Sequence, residues 1–322
     1  MSVEHGVTKV AYLADPSIVF YQSDRSDRGW GCGYRNIQML LSYVICQPSS
    51  SGSEATSTHA SSERRKVTPT IQDLQRQLEF AWSIGFDPTG AAQLGHKVVN
   101  TQKWIGTTEA WSVLSSLGVR CNMLDFHRPT GPGGTHPALL DAVRDYFRAS
   151  EWSALAPPNP YGLGGIDRQQ RGVIQTRRPP IYMQHQGHSR TIVGYELLEN
   201  GEANLLVFDP GRWLHKSISK INRAALSRSV TDCKGTSTTT RDGLLDAQYF
   251  LKAFRLQLTP SNTKSQYQLL GISGLYNDSG DSARSSTRPN ELDLFSENSA
   301  LSVGWNHEEH QESKLVVSSR VP

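Results

Sequence analysis

The sequence predicts an α+β protein in which N-terminal helices pack on an antiparallel sheet. Apolar residues repeat with helical spacing through the first half of the chain, whereas short apolar runs rich in β-formers dominate the second half. The later runs are bounded by Gly, Pro or Asn, as strands commonly are. Helices first and strands afterwards are typical of an α+β fold.

The strongest helical pattern directly follows Cys32. Its apolar residues are spaced i, i+3, i+4, i+7 and i+8, and they are Ile37, Leu40, Leu41, Val44 and Ile45. Weaker patterns of the same kind predict helices at 70–84, 107–117 and 137–149. Short β-rich runs predict strands at 119–126, 180–184, 191–197, 204–208, 248–258 and 266–272.

One folded domain, spanning 1–274, is expected. Residues 49–66 begin with a run of Ser, Thr and Gly that has almost nothing apolar to offset the entropy of ordering, which predicts a flexible insertion. From about residue 275 the chain is polar, mixed in charge and without sustained periodicity. This composition predicts a disordered tail over 275–322.

Composition argues against several classes of protein. The 322 residues are 37% hydrophobic, and no stretch approaches the roughly 18 apolar residues of a membrane-spanning helix. The N-terminus lacks the layout of a secretion signal. Four cysteines are too few and too scattered for a disulfide framework or a C-x-x-C zinc site, and a net charge of +3 gives no reason to expect nucleic-acid binding. We expect a monomer of the cytosol or nucleus, with no membrane, metal or cofactor.

Cys32 is the candidate nucleophile. The Gly-Cys-Gly at 31–33 stands immediately ahead of the strongest helical pattern, which predicts that the thiol lies at a helix N-terminus. Unpaired backbone N–H groups and the helix dipole favour the thiolate at such a position. Gly31 and Gly33 are expected to let a substrate approach the backbone closely. A small buried cysteine at a helix start is the alternative, and the local residues do not decide between the two.

His188 is the candidate base, because a thiolate at neutral pH usually needs an imidazole partner. It follows a β-like run and a Gly, whereas most other histidines lie in polar loops or tails. His185 and His136 compete with it. His185 and His188 also form a His-x-x-His pair, but on one strand they would point to opposite faces, so metal binding is not expected.

Asp209 is the candidate acid that orients the imidazole. It ends the buried run NLLVF and precedes Pro-Gly, a context that is also typical of a plain turn residue. Asn200-Gly201 predicts a hairpin that brings Asp209 and His188 to the same end of two strands. A strict two-residue turn would set Asp209 opposite Ile192, four residues short of His188, so a wider turn or a bulge is required.

Two glutamines are candidates for stabilising the oxyanion that forms when the thiolate attacks a carbonyl. If the strand runs on through His188, Gln184 and Gln186 lie on its face. Either amide could donate to the oxyanion together with the backbone N–H of Cys32. Gln184 is the first choice.

Four motifs, in order, resemble one family: DRGWGCGYRNIQML, WIGTTEAWSVLSSLGVRC, QHQGHSRTIVGYE and LLVFDPG. They are similar to those of a family of papain-like cysteine peptidases. This family includes the ubiquitin-fold-modifier-specific proteases and the zinc-finger-containing ubiquitin peptidase. The similarity runs from about residue 10 to 273. It implies a papain-like α+β domain with Cys32, His188 and Asp209 as nucleophile, base and acid.

One departure from the family pattern favours the ubiquitin-directed branch. Modifier-specific members resemble one another in an Asp-Pro-His that carries the catalytic histidine, whereas this chain has Gly211 at that position. The resemblance therefore implies a deubiquitinase that acts at the C-terminal glycine of ubiquitin. Its partner is expected to be ubiquitin or polyubiquitin. The chain has no cysteines for the zinc fingers of the animal ubiquitin-directed protein, so affinity for polyubiquitin is expected to come from the catalytic domain or from a partner.

Three further residues are candidates for substrate binding. Trp30 beside the nucleophile could wall a channel for a Gly-Gly tail, or it could be an ordinary core residue. Glu109 and Asp125 could bind the arginines of a ubiquitin tail. A protease for another ubiquitin-like modifier and a non-catalytic ubiquitin-binding module remain as alternative functions.

Overall fold

The computed structural model describes residues 7–46, 68–149, 172–214, 251–275 and 314–321. The predicted insertion at 49–66 and most of the predicted tail lie outside these ranges. Within them, no helix is both long enough and apolar enough to cross a bilayer.

Most of the described helices precede most of the described strands along the chain, as the sequence predicts. The helices are α1 (Cys32–Cys46), α2 (Ile71–Ser83), α3 (Pro88–Gln93), α4 (Thr107–Ser116) and α5 (Pro137–Arg148). The strands are β1 (Thr8–Leu13), β2 (Val119–Phe126), β3 (Gly172–Gln175), β4 (Ile181–His185), β5 (His188–Leu198), β6 (Ala203–Phe208), β7 (Arg255–Leu256), β8 (Tyr267–Leu275) and β9 (Ser318–Arg320). The α+β prediction is confirmed.

Strand β5 is the centre of the sheet, and β4, β1 and β6 all pair with it in antiparallel fashion. Strand β6 pairs with residues 191–197, along one edge of β5. On the other edge, β4 pairs with 188–192 and β1 pairs with 194–198. The sheet continues from β4 through β8 and β2. The first residue of β5 is His188, so this strand carries the candidate base at its N-terminal end.

Two pairs in the sheet are parallel, which the prediction of an antiparallel sheet did not include. Strand β3 runs parallel to β1, and β9 runs parallel to β2. Strand β9 also corrects the prediction of a tail disordered to its end. Val321 beside it is 2% exposed, and the Lys314 ammonium donates to Ile84 O at 2.9 Å. Val321 belongs to the apolar cluster around α5, a contact that the polar composition of 275–322 does not predict.

Apolar side chains cover both faces of the sheet. Helices α1, α2 and α4 pack on one face around Tyr182, Met123 and Leu270. Helix α5 packs on the other face, around Met183 and Ile192. Because side chains alternate along a strand, the face that a residue of β4 or β5 presents decides whether it can reach α1.

Candidate active site

Cys32 is the first residue of α1, as the sequence predicts, and a buried ion pair fixes the loop that leads to it. The Asp27 carboxylate accepts hydrogen bonds from Arg35 Nε at 3.0 Å and Arg35 Nη2 at 2.8 Å. Asp27 is 1% exposed, and its backbone oxygen accepts from Gly31 N at 2.8 Å. The ion pair therefore ties the loop before Cys32 to the first turn of α1.

The two glycines beside Cys32 are required by packing, and no close approach of a substrate is needed to explain them. A Cβ on Gly31 would lie 2.5 Å from Asp27 Oδ2. A Cβ on Gly33 would lie 2.8 Å from the backbone oxygen of Ile105 and 2.5 Å from its Cγ1. All three distances are shorter than the contacts that Cβ atoms make in proteins, so larger residues would push the loop or α1 out of position.

A buried polar network joins the start of α1 to β5. Asn36 Nδ2 donates to Cys32 O at 2.8 Å and to Ser189 Oγ at 3.0 Å, and Thr191 Oγ1 donates to Asn36 Oδ1 at 2.7 Å. Asn36, Ser189 and Thr191 are fully buried. Ser189 also hydrogen-bonds the Cys32 thiol. The Ser189 hydroxyl also contacts the Tyr182 hydroxyl, and its one proton stabilises a thiolate when it is donated to the sulfur.

His188 lies between Cys32 and Asp209. Its Nε2 is 2.7 Å from Asp209 Oδ1, and its ring hydrogen-bonds the Cys32 thiol. Since Nε2 faces the carboxylate, Nδ1 is the nitrogen left to exchange a proton with sulfur. The structure thus brings together the three residues that the sequence singled out.

The register between β5 and β6 shows how Asp209 reaches His188. Leu198 N donates to Glu202 O at 2.8 Å, so the connection is a three-residue loop and not a strict Asn-Gly turn. The register shifts once more between Ile192 and Gly194. Thr191 then faces Phe208, which sets Asp209 opposite Arg190, two residues from His188. The wider turn and the bulge, each of which the sequence left open, are both present.

The three groups shift one another's pKa values toward an ion pair. Burial raises the pKa of the Cys32 thiol, but hydrogen bonds from His188 and Ser189 and the charge of His188 bring it below its ordinary value. Burial lowers the pKa of His188, but its bonds to Asp209 and Cys32 and the Asp209 charge raise it to about 9. The pKa of Asp209 falls well below its usual range: burial opposes this, yet the His188 and Arg190 contacts prevail. The directions of these shifts all favour an imidazolium paired with a thiolate.

The two competing histidines occupy other positions. His136 is fully buried, and its Nε2 is 2.8 Å from the backbone oxygen of Lys264. His185 lies directly across from His188, but its Nε2 is 2.7 Å from Arg190 Nη1 and its Nδ1 is 2.8 Å from Gln186 O. Both rings are engaged away from the thiol, so His188 is the histidine that the geometry favours.

The expectation that Gln184 and Gln186 share a face with His188 is wrong. Strand β4 ends at His185, and a tight turn at 186–187 follows, with Gly187 at φ +81°. Gln184 therefore pairs with Ser189 and faces α1, whereas Gln186 is exposed in the turn. Gln184 is still next to the residue that bonds the thiol. Its Nε2 donates to His185 O at 2.9 Å, and its Oε1 accepts from the Tyr182 hydroxyl at 3.2 Å.

The two candidate acids differ in position. Glu109 is only 8% exposed, and its Oε2 accepts from Gly106 N at 2.7 Å as the cap of α4. This internal role corrects its assignment to substrate binding. Asp125 is half-buried and lies opposite Gln268, which lies opposite Gln184. Asp125 thus belongs to the same cross-strand row as Gln184, about 10 Å away across two strand spacings.

Trp30 is half-buried and lies two residues before Cys32. Its Nε1 donates to Ser26 O at 3.1 Å, and its ring meets Tyr34 edge-on with centroids 5.8 Å apart. It packs against the α1 core, as an ordinary core tryptophan would. Trp104, which the sequence did not single out, is 56% exposed and lies 3.8 Å from the position of a Cβ on Gly187. Its place in the motif WIGTTE beside a buried Ile105 gave no signal of this exposure.

Comparison with known proteins places these residues in a family. The model of Peptidase family C78 matches residues 7–245. The zinc finger-containing ubiquitin peptidase 1 of Rattus norvegicus is 36% identical over 251 residues, which are 77% of this chain and 38% of that protein. The ubiquitin carboxyl-terminal hydrolase mug105 of Schizosaccharomyces pombe is 32% identical over 62% of this chain and 68% of its own length.

A third relative is more distant. The probable Ufm1-specific protease 1 of Drosophila melanogaster is 25% identical over 57% of this chain and 56% of its own length. The chain spans 38% of the length of the rat relative, so only the shared peptidase region is compared there. Since the family model covers most of the chain and includes Cys32, His188 and Asp209, the chain belongs to Peptidase family C78.

Proposed function

We propose that this chain is a cysteine peptidase that hydrolyses the bond after the C-terminal glycine of ubiquitin, including the isopeptide bonds of polyubiquitin. The observation that carries the proposal is the continuous contact from Cys32 through His188 to Asp209. Such an arrangement supplies a thiolate, an imidazolium and a group that fixes the imidazole. A non-catalytic ubiquitin-binding module would have no need of it.

In the proposed reaction the Cys32 thiolate attacks the carbonyl carbon of the terminal glycine and forms a tetrahedral oxyanion. His188 donates its Nδ1 proton to the departing lysine amine, which leaves a thioester on Cys32. Water then attacks the thioester while His188 takes its proton, and the thiolate is released. Asp209 keeps the proton of Nε2 in place throughout.

The oxyanion requires donors near Cys32. The backbone N–H of Cys32 at the N-terminus of α1 is one, and we assign the Gln184 amide as the second. Gln184 lies across from Ser189, on the face that meets α1. To donate to the oxyanion, the Gln184 amide would have to give up its hydrogen bond to the His185 carbonyl oxygen. Rotation of the Gln184 side chain alone would allow this.

Two observations favour ubiquitin over another modifier. The rat and fission-yeast relatives, the more similar of the three, are both named for ubiquitin. In addition, a Cβ on Gly211 would lie 3.5 Å from His188 Cε1. That distance is an ordinary contact, so the His188 ring adjoins residue 211, the position at which modifier-specific proteases resemble one another in carrying their histidine. In this chain residue 211 is a glycine, and the imidazole at this place is that of His188.

Asp125 supports recognition of a basic tail. Its carboxylate stands in the same row of the sheet as Gln184, on the side of α1. Arginines that precede the terminal glycines of a bound tail could pair with it. We also propose that the chain acts as a monomer, because the described residues complete the charge pair within one chain; sedimentation of the active protein tests this.

Incubation with each diubiquitin linkage type, beside a reporter ending in the C-terminus of the modifier Ufm1, tests the proposed function. We expect cleavage of at least one diubiquitin and no release from the reporter, with Cys32→Ala inactive in both. Release from the reporter alone would assign the chain to the other modifier. Binding of ubiquitin without cleavage of either substrate would favour the binding module.

A further inference from the structure

Arg190 contacts Asp209 on the side away from His188, so it extends the series Cys32, His188 and Asp209 by one residue. Arg190 Nε donates to Asp209 Oδ2 at 2.7 Å, while His188 Nε2 is 2.7 Å from Oδ1. Gly211 N also donates to Oδ1, at 2.9 Å. Both carboxylate oxygens are therefore held, one by the imidazole and one by the guanidinium. An arginine suits this place because its planar group donates along fixed directions.

The other end of the guanidinium is held by His185. Arg190 Nη1 is 2.7 Å from His185 Nε2, and a guanidinium can only donate, so Nε2 accepts. His185 Nδ1 is 2.8 Å from Gln186 O, which can only accept, so Nδ1 carries the proton. These two contacts require a neutral His185 in a single tautomer. The turn at 186–187 provides the carbonyl that sets it.

We propose that Arg190, aligned by neutral His185, is a positioning residue that holds the Asp209 carboxylate in the plane His188 needs. The inference rests on the proposed function only in that His188 is the base of that reaction. The Arg190 guanidinium contacts Asp209 and His185, so we expect it to act through Asp209. Its loss is expected to slow the chemical step and leave substrate affinity unchanged.

The charged and titratable groups around His185 agree with its neutral state. Arg190 and His188 face it from β5, the Tyr267 ring meets it edge-on from β8 with centroids 5.9 Å apart, and the charge of Lys264 acts on it from just before β8. Burial lowers the pKa of His185; the backbone bond to Gln186 opposes this, and the charges of Arg190, His188 and Lys264 lower it further. A protonated His185 would point an N–H at the guanidinium and repel it.

Two substitutions of Arg190 separate geometry from charge. Arg190→Gln removes both, and we expect kcat for the best diubiquitin to fall about 10- to 100-fold with KM unchanged. Arg190→Lys keeps the positive charge but cannot donate in two fixed directions, and we expect about a tenfold loss. His185→Phe keeps the ring contacts with His188 and Tyr267 but accepts nothing from Arg190. We expect it to lose between about 2- and 10-fold in kcat.

A spectroscopic readout that requires no substrate accompanies the kinetics. We expect the proton on His188 Nε2 to give a downfield NMR resonance, which its absence in His188→Gln identifies. We expect this resonance to broaden in Arg190→Gln and Arg190→Lys, because the Asp209 carboxylate is no longer held from its far side. If no ubiquitin-like substrate is cleaved by the wild type, the proposed function fails while this arm still decides the inference.

Arg144→Gln is the matched control. Arg144 is 16% exposed against 20% for Arg190, and it likewise contacts acidic side chains, Asp141 and Asp145, but on α5. We expect this variant to keep the wild-type kcat and the His188 resonance. The inference is overturned if Arg190→Lys matches the wild type in both measurements, if the loss lies in KM, or if Arg144→Gln loses as much.

Discussion

Replacing Asp209 by Asn removes the charge that stabilises the His188 imidazolium and keeps the shape of the side chain. With Asp209 ionised, the pKa of His188 is about 9, so at pH 7 the protonated form outnumbers the neutral form by about 100 to 1. Burial and the Arg190 charge, which both lower this pKa, remain in the variant. We expect the pKa to fall toward its ordinary value of about 6.5, where about a quarter of the rings are protonated at pH 7. The difference corresponds to about 3 kcal/mol of stabilisation of the imidazolium.

Two assays follow this change in Asp209→Asn. An NMR titration of His188 reports its pKa directly, and the rate of Cys32 alkylation by iodoacetamide, mapped to the Cys32 peptide by mass spectrometry, reports the thiolate. We expect the wild type to react at pH values where an ordinary thiol does not. The variant is expected to react only as the pH approaches the pKa of an ordinary thiol, about 8.5.

The stability of the fold changes with pH in a matching direction. Because the pKa of His188 is raised in the folded state, its contribution to stability is fully present below about pH 6.5 and is lost as the pH rises through about 9. The difference in unfolding free energy between wild type and Asp209→Asn is therefore expected to shrink between pH 6.5 and 9. If His188 in the variant still titrates near pH 9, Asp209 is not the source of the shift and the reasoning is refuted.

Four further changes have specific expected outcomes. Gln184→Ala should lower kcat about 100-fold with KM unchanged, and should not slow alkylation of Cys32, which forms no oxyanion; a slowed alkylation would count against its role. Ser189→Ala should raise the pKa of Cys32 and move the alkylation profile to higher pH, and an unmoved profile would show that the hydroxyl does not reach the sulfur. Asp125→Asn should raise KM for ubiquitin substrates while kcat holds; an unchanged KM would remove Asp125 from tail binding. Deletion of 314–322 should lower the free energy of unfolding by at least about 2 kcal/mol, measured by urea denaturation, and equal stability would show that β9 does not pack as described.

The position of Cys32, the proposed nucleophile, could be predicted because local patterns determine it. Gly-Cys-Gly ahead of an apolar repeat predicts a helix that begins at Cys32, and α1 begins there. The contact between His188 and Asp209 could be predicted only in part. The Asn-Gly signal predicts the hairpin, but the bulge near Val193 depends on how β5 meets β1 and β6 at once.

The misplaced residues differ in how far a local pattern could have placed them. Gln186-Gly187 lies within a run of β-like sequence, so the sequence predicts a strand where the structure has the turn that separates Gln184 from the His188 face. Glu109 stands three residues into a helix, where a carboxylate commonly caps its own N-terminus. That signal was present in the sequence and could have excluded it. Strand β9 pairs with a strand almost 200 residues earlier, and no local pattern announces such a pairing.

We propose Cys32 as the nucleophile of a peptidase that acts on ubiquitin or a ubiquitin-like modifier. Its most direct test is reaction of the protein with ubiquitin that carries a C-terminal electrophile, followed by mass spectrometry of the adduct. We predict a single ubiquitin attached at Cys32, no adduct in Cys32→Ala, and a greatly slowed reaction in His188→Gln. An adduct that persists in Cys32→Ala, or that maps to Cys46 or Cys121, would contradict the assignment.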